Sequence, residues 1–107
     1  MKKSLCIAFA LALTSIAANA ATIEMKVYGL VCGFCAQGIE KTLRKNPATQ
    51  DVVVSLEHKL VAIATRDGAD IADDVLVKAM TDAGYDVKGI ARTQRTIPEI
   101  RQWLKSQ

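Results

Sequence analysis

Thr22-Ile23-Glu24-Met25-Lys26-Val27-Tyr28-Gly29-Leu30-Val31-Cys32-Gly33-Phe34-Cys35 is the stretch that decides the fold. It opens by alternating, with Ile23, Met25 and Val27 on one side and Glu24 and Lys26 on the other, which is the period of a half-buried strand. Gly29 ends that pattern. From about Phe34 to Lys45 the apolar residues Ala36, Ile39 and Leu43 recur at helical spacing. Lys41, Arg44 and Lys45 gather near the end of this run, where cations suit the negative pole of a helix dipole. Cys32 and Cys35 therefore fall on a tight strand-to-helix turn. Their sulfurs can converge near the positive pole of the helix, which favours the thiolate form. Thiolates bind soft metal ions and exchange disulfides, so a metal carrier and a redox protein are the two candidates.

Downstream, Asn46-Pro47 stops the helix. Val52-Val53-Val54 and Leu60 to Thr65 are β-branched runs around Glu57-His58-Lys59, which reads as a hairpin with a short polar turn. Arg66-Asp67-Gly68 turns the chain again. Asp70 or Asp73 can cap a second helix carrying Val75, Leu76, Ala79, Met80 and Ala83 on its buried side. Gly84 is a stop signal for that helix, and Tyr85 to Ile90 reads as a last short strand. The order strand, helix, strand, strand, helix, strand predicts an α+β, ferredoxin-like β-α-β-β-α-β sandwich, an antiparallel sheet with both helices on one face. His58 is the only histidine. Its turn is expected at the end of the sheet opposite the start of the first helix, so His58 reads as a solvated turn residue and not a third ligand. Asp73-Asp74 and the Lys41/Arg44/Lys45 group read as solvated helix faces; the basic group could also steer an acidic partner.

Upstream, Lys2 and Lys3, the apolar run Leu5 to Ile16 and the small residues of Ala18-Asn19-Ala20 read as a signal peptide over residues 1–20. The run is too short for a comfortable membrane span. Cys6 precedes most of it and is a poor lipid-attachment site. Cleavage near Ala20 would leave 87 of the 107 residues and drop the basic count from 14 to 12 against 11 acids, a net charge near +1. That is one small domain with a thin core and nothing to attract nucleic acid or an anionic membrane. The expected organisation is the signal over 1–20, a single domain over 21–91 and an extension over 92–107. In the extension, Thr96-Ile97-Pro98-Glu99 reads as a capping box, and Ile97, Ile100, Trp103 and Leu104 share one face of a short helix. So short a helix is marginal alone. It is expected to cover its own domain; the sharper reading is a docking helix anchored by Trp103.

The loop and its surroundings resemble the heavy-metal-associated domain family, small proteins and modules that include copper chaperones, the metal-binding modules of P-type ATPases and the periplasmic mercury-binding protein. The family's loop runs Gly-Met-x-Cys-x-x-Cys; this chain has Gly29-Leu30-Val31-Cys32-Gly33-Phe34-Cys35. Ala36 to Leu43 is similar to the family's first helix, and Ala83-Gly84-Tyr85 to the end of its second. The likeness runs from about Thr22 to Ala91. It implies that Cys32 and Cys35 hold a soft ion, Cu(I) first, with Hg(II) or Zn(II) as further candidates. It also implies that the ion passes by ligand exchange to or from a partner such as a metal-transporting P-type ATPase or membrane transporter. Leu30 stands where the family usually has Met, a nearly volume-conserving change beneath the loop. Tyr85 either shields the sulfurs from the facing loop, as in many bacterial members, or is an ordinary end-of-strand aromatic. Gly33 would let the loop bend and keep the sulfurs open to approach. Phe34 would shelter the site or cover the core edge.

The resulting expectation is a non-enzymatic, periplasmic soft-metal carrier. The alternative is a thiol–disulfide oxidoreductase using the same pair, since Cys-Gly-Phe-Cys does look like a redox motif. Thioredoxin-type enzymes need a strand and helix before the motif's strand and a proline facing the disulfide, which Pro47 and Pro98 are not placed to supply. A third reading is an interaction module worked by the tail helix. A structural disulfide is disfavoured, because closing so short a loop adds little stability. In an oxidising compartment the pair can nonetheless rest oxidised, so a carrier has to be kept reduced or loaded before its thiols pair.

Overall fold

A computed structural model of the chain describes residues 21–107; the signal-peptide reading and Cys6 lie outside the described residues. Strand β1 (Thr22–Tyr28) leads into helix α1 (Gly33–Arg44), followed by β2 (Thr49–Ser55), β3 (Leu60–Thr65), α2 (Asp73–Asp82), β4 (Asp86–Thr93) and α3 (Ile97–Lys105). The sheet order is β2-β3-β1-β4, with every pairing antiparallel. Met25 stands between Val61 of β3 and Ile90 of β4 in that register. This is the ferredoxin-like arrangement expected, with a third helix added.

Because side chains alternate across a strand, the sheet has two faces with different covers. On the front, Ile23, Met25 and Val27 meet Val52, Val61 and Ile63, and α1 and α2 close over them with Ile39, Leu43, Leu76 and Met80. On the back, Leu60 and Ala62 meet Ile97 and Ile100 of α3 in a separate cluster, with Val53, Ala64 and Leu104 at its edge. β3 is thus covered from both sides, which is why Leu60 to Thr65 is apolar almost without alternation. The tail helix covers its own domain. Its capping box forms: the Thr96 N–H donates to Glu99 Oε1 at 2.7 Å, and the Glu99 N–H donates to Thr96 Oγ1 at 3.2 Å.

Ion pairs tie the layers together. Arg95, just before α3, donates to both carboxylate oxygens of Glu24 on β1, at 3.0 and 2.7 Å. Asp51 on β2 accepts from Arg44 of α1 at 2.9 Å and from Arg101 of α3 at 3.5 Å, so an edge strand is clasped from both faces. Arg44 is therefore not simply solvated.

Three details differ from the sequence reading. Neither Asp70 nor Asp73 caps α2: its N-cap is Ala72 without a side-chain bond, and both aspartates bind Arg92 of β4 instead. Asp73 and Asp74 still sit in the first turn of α2, where the dipole favours them. Val75 and Ala83 are exposed, leaving Leu76 and Met80 as the buried residues of α2. β4 runs to Thr93, beyond Ile90, because it pairs with β1 back to Thr22.

Candidate metal site

The end of β1 delivers the chain to the site. Gly29 takes a positive φ of 97°, a region where a side chain is strained, and Leu30 then turns inward and is buried in the front core. With Leu30 anchored beneath, Val31 and Cys32 are left outside. Cys32 is the N-cap of α1: it has extended backbone, and its Sγ accepts from the Cys35 N–H at 3.2 Å. Cys35 lies one turn into the helix, half-buried and packed against the front core. The two Cα atoms are 5.3 Å apart and the sulfurs are joined as a disulfide. The first turn of α1 contains no acidic residue, so the cysteine sulfurs are the groups that face the positive end of its dipole.

Tyr85 follows α2 and Gly84, whose φ of 96° ends that helix. Its backbone N–H donates to the Met80 carbonyl at 2.9 Å. The ring lies against the backbone at Gly29: a Cβ placed there would be 3.5 Å from Tyr85 Cδ1. Tyr85 and Cys35 also line one apolar groove between α1 and α2, together with Ile39, Met80 and Phe34. The structure thus brings Cys32, Cys35, Leu30 and Tyr85 into one neighbourhood.

Gly33 departs from the sequence reading, and Phe34 departs from one of its two alternatives. Gly33 has no positive φ, and a Cβ on it would meet nothing within 4 Å, so neither the bend nor crowding requires glycine there. Phe34 is 83% exposed and Val31 84%; Phe34 covers no core edge and instead stands at the rim of the groove.

The position of His58 is corrected. β3 runs antiparallel to β1, with Leu60 opposite Lys26, so the β2–β3 turn lies beside the end of β1 and not at the far end of the sheet. The Val27 N–H donates to the Lys59 carbonyl at 2.8 Å, and the Lys59 ammonium lies 5.5 Å from the Tyr28 ring. The His58 ring faces Trp103 of α3, with centroids 5.1 Å apart, and Arg95 stacks on the same indole. Trp103, 37% exposed, is thus held on its own domain by two neighbours, which its helical spacing alone did not reveal. Among the described residues, no three or more His, Cys, Asp and Glu side chains gather around one point. The donor set at the site is the two sulfurs, a soft, low-coordination set once reduced.

A ferredoxin-like α+β domain with a Cys-x-x-Cys at the start of its first helix is the class that fold and site define. Residues 24–86 match the heavy-metal-associated domain, and the chain belongs to that family. It is 32% identical over 84 residues to the copper-transporting ATPase 1 of Rhizobium meliloti (strain 1021), covering 78% of this chain and 10% of the ATPase. It is 33% identical over 86 residues to the mercuric transport protein periplasmic component of Pseudomonas fluorescens, covering 79% of this chain and 93% of that protein. Among solved structures, the CopZ metallochaperone superposes with a TM-score of 0.57 at 28% identity, over 63% of this chain and 98% of that one. The chain therefore spans about a tenth of the ATPase and nearly the whole of the mercuric protein. Family and relatives place it among proteins that bind and transfer metal ions.

Proposed function

We propose that this protein carries a soft metal ion, Cu(I) in first place, on the thiolates of Cys32 and Cys35, and passes it on by ligand exchange. The observation that carries the reading is the placement of those sulfurs, at the exposed start of α1 in a heavy-metal-associated fold. Two sulfurs satisfy a near-linear soft ion and leave it open to a third, entering thiolate. Transfer then needs no energy source: the incoming thiolate binds, one cysteine leaves, and the second exchange completes the handover. Hg(II) fits the same donors. Zn(II) prefers four ligands, which two sulfurs supply only if two proteins share the ion. Leu30 holds the loop from below, and Tyr85 screens the site from the side of the second helix.

The signal-like residues 1–20 and the periplasmic mercuric relative support export to the periplasm. Among the described residues, no helix is long and apolar enough to cross a membrane. The likeness to a copper-transporting ATPase supports a membrane metal transporter as the partner that gives or takes the ion. The competing activity, thiol–disulfide catalysis, draws support from the closed Cys32–Cys35 bond. Against it, Pro47 lies between α1 and β2 and Pro98 lies in α3, so neither faces the disulfide as a thioredoxin-type proline would.

An anaerobic Cu(I) titration of chemically reduced residues 21–107 against a chromophoric chelator tests the reading, with Cys32→Ser/Cys35→Ser as control. One ion held against the chelator and lost in the control is the expected result. No competition for Cu(I) would hand the lead to Hg(II), and failure of both ions would end the carrier reading.

A further inference from the structure

A dithiolate carrier cannot load while Cys32 and Cys35 are bonded to each other, and in this structure they are. We propose that the oxidised protein is the substrate of a protein dithiol, that the exchange enters at Cys32, and that Val31 and Phe34 are the surface on which the reductant docks.

The two sulfurs are not equivalent. Cys32 is exposed, whereas Cys35 is half-buried against the front core. An attacking thiolate must approach in line with the bond it breaks, so the exposed Cys32 Sγ is the sulfur it can reach. No acidic residue in the first turn of α1 repels that anion. The Cys32 Sγ–Cys35 Sγ bond breaks, a bond forms between the reductant's sulfur and Cys32 Sγ, and the electron pair goes to Cys35 Sγ, which takes up a proton. The reductant's second thiolate then attacks its own sulfur in the mixed disulfide and expels Cys32 as thiolate. The carrier's disulfide gains two electrons, and the reductant's dithiol is oxidised to a disulfide.

The need for a second thiol follows from geometry. Once released, Cys35 is still one helical turn from Cys32, held at high effective concentration for the return attack. A monothiol has to wait for a second molecule and loses that race. A dithiol brings its own resolving group.

The need for a protein follows from the surroundings. Val31 and Phe34 stand either side of Cys32 in the chain and are 84% and 83% exposed, so two large apolar side chains lie open on the loop that carries the reactive bond. Beside them runs the apolar groove of about 340 Å³ between α1 and α2, with Phe34 and Cys35 in its lining. A macromolecular partner that reaches Cys32 covers these groups and gains from it; a small thiol does not. The chemistry stands whatever metal the site carries, and only its purpose rests on the carrier reading.

The experiment is to reduce the oxidised protein with thioredoxin, kept reduced by its reductase and NADPH, and separately with dithiothreitol at matched thiol concentration, counting free thiols over time. The expected result is a rate with thioredoxin about a hundredfold above dithiothreitol. Val31→Ser/Phe34→Ser should slow thioredoxin about tenfold, the effect of losing part of the apolar contact, and leave dithiothreitol unchanged. Thioredoxin lacking its resolving cysteine should be trapped on Cys32, as read by peptide mass. Equal rates for the two reductants, equal slowing of both in the variant, or trapping on Cys35 would each overturn the proposal. Failure here is distinct from failure of the carrier reading, because the copper titration starts from chemically reduced protein and uses no reductase.

Discussion

The two faces of the sheet are built to different ends. The front has the larger core, yet its upper rim is left open: Cys32, Val31 and Phe34 are exposed where α1 begins. The back has a small core of four buried residues, Leu60, Ala62, Ile97 and Ile100, reinforced by Glu24–Arg95 and Asp51–Arg101 pairs. The proposed exchange of a metal ion with another protein's ligands requires a site that forgoes burial at the point of contact. The back face carries no such demand, and the chain uses it to add packing that the β-α-β-β-α-β unit alone would lack. Stability and metal affinity should therefore separate when the faces are perturbed one at a time.

The largest expected effect is on the back. Deleting residues 97–107 uncovers Leu60 and Ala62 and removes Ile97 and Ile100 from burial, which should cost about 4 kcal/mol, a large share of the stability of a small domain. Ile100→Ala alone, at a fully buried position, should cost about 3 kcal/mol. Urea unfolding of the reduced proteins gives both values. The affinity of the folded Ile100→Ala protein for Cu(I) should match that of the parent. An affinity that falls in step with stability would mean the faces are coupled, and the division drawn here would fail.

Local order was more legible in the chain than its long-range consequences. Alternation in β1, helical spacing in α1 and the capping box of α3 are short-range patterns, and the structure contains all three. Which face α3 would cover was not readable from its own spacing, since an amphipathic stripe says that a helix packs but not on what. A sign was present in β3. A strand reading Leu-Val-Ala-Ile-Ala-Thr has no polar side, which in a four-stranded sheet with two helices on one face calls for a cover on the other. His58 was misplaced for a different reason. Its turn follows β2, and only the antiparallel pairing of β1 with β3 puts that turn beside the end of β1. Phe34 shows a third limit: of its two readings, sheltering the site or covering the core edge, its 83% exposure excludes the second, and spacing alone did not choose between them. The convergence of Cys32 and Cys35 was legible because it needs only two residues in one turn.

A change on the front should show the converse of Ile100→Ala. Gly29→Ala forces a side chain into a φ of 97°, which should cost about 1 kcal/mol by itself. The added Cβ would meet Tyr85 Cδ1 at 3.5 Å, an ordinary contact, so the strain is in the backbone and not in crowding. The chain can relieve that strain by moving the segment toward Cys32. Metal affinity measured by chelator competition should therefore fall by more than the modest stability loss accounts for. A variant that loses stability but keeps full affinity would show that the loop is positioned by Leu30 and Tyr85 and not by the turn at Gly29.

The smallest expected effect concerns how the tail is tethered. The Arg95 guanidinium, through its hydrogen bonds to Glu24, holds that carboxyl below its ordinary range; burial opposes the shift, and Thr93 assists it at 2.8 Å. A carboxyl with a depressed folded-state pKa adds stability that is fully present above its unfolded pKa and is lost as pH falls through the folded one. Arg95 is 38% exposed, which screens the pair and keeps its contribution to about 1 kcal/mol. Glu24→Gln should therefore lower the melting temperature near neutral pH, and the gap between variant and parent should close as the solution is acidified below the carboxylate range. Asp51 is likewise held below the ordinary carboxylate range: burial, the largest single influence, pushes it up, and the hydrogen bonds from Arg44 and the Val52 N–H together with the nearby Arg101 charge outweigh it. The parent's own pH profile mixes the two carboxyls; the difference between parent and variant isolates Glu24. A gap that persists unchanged into acid would assign the loss to the geometry of the amide and not to the charge. The back face would then be held by packing and the Asp51–Arg101 pair, with Arg95 left to its stack on Trp103.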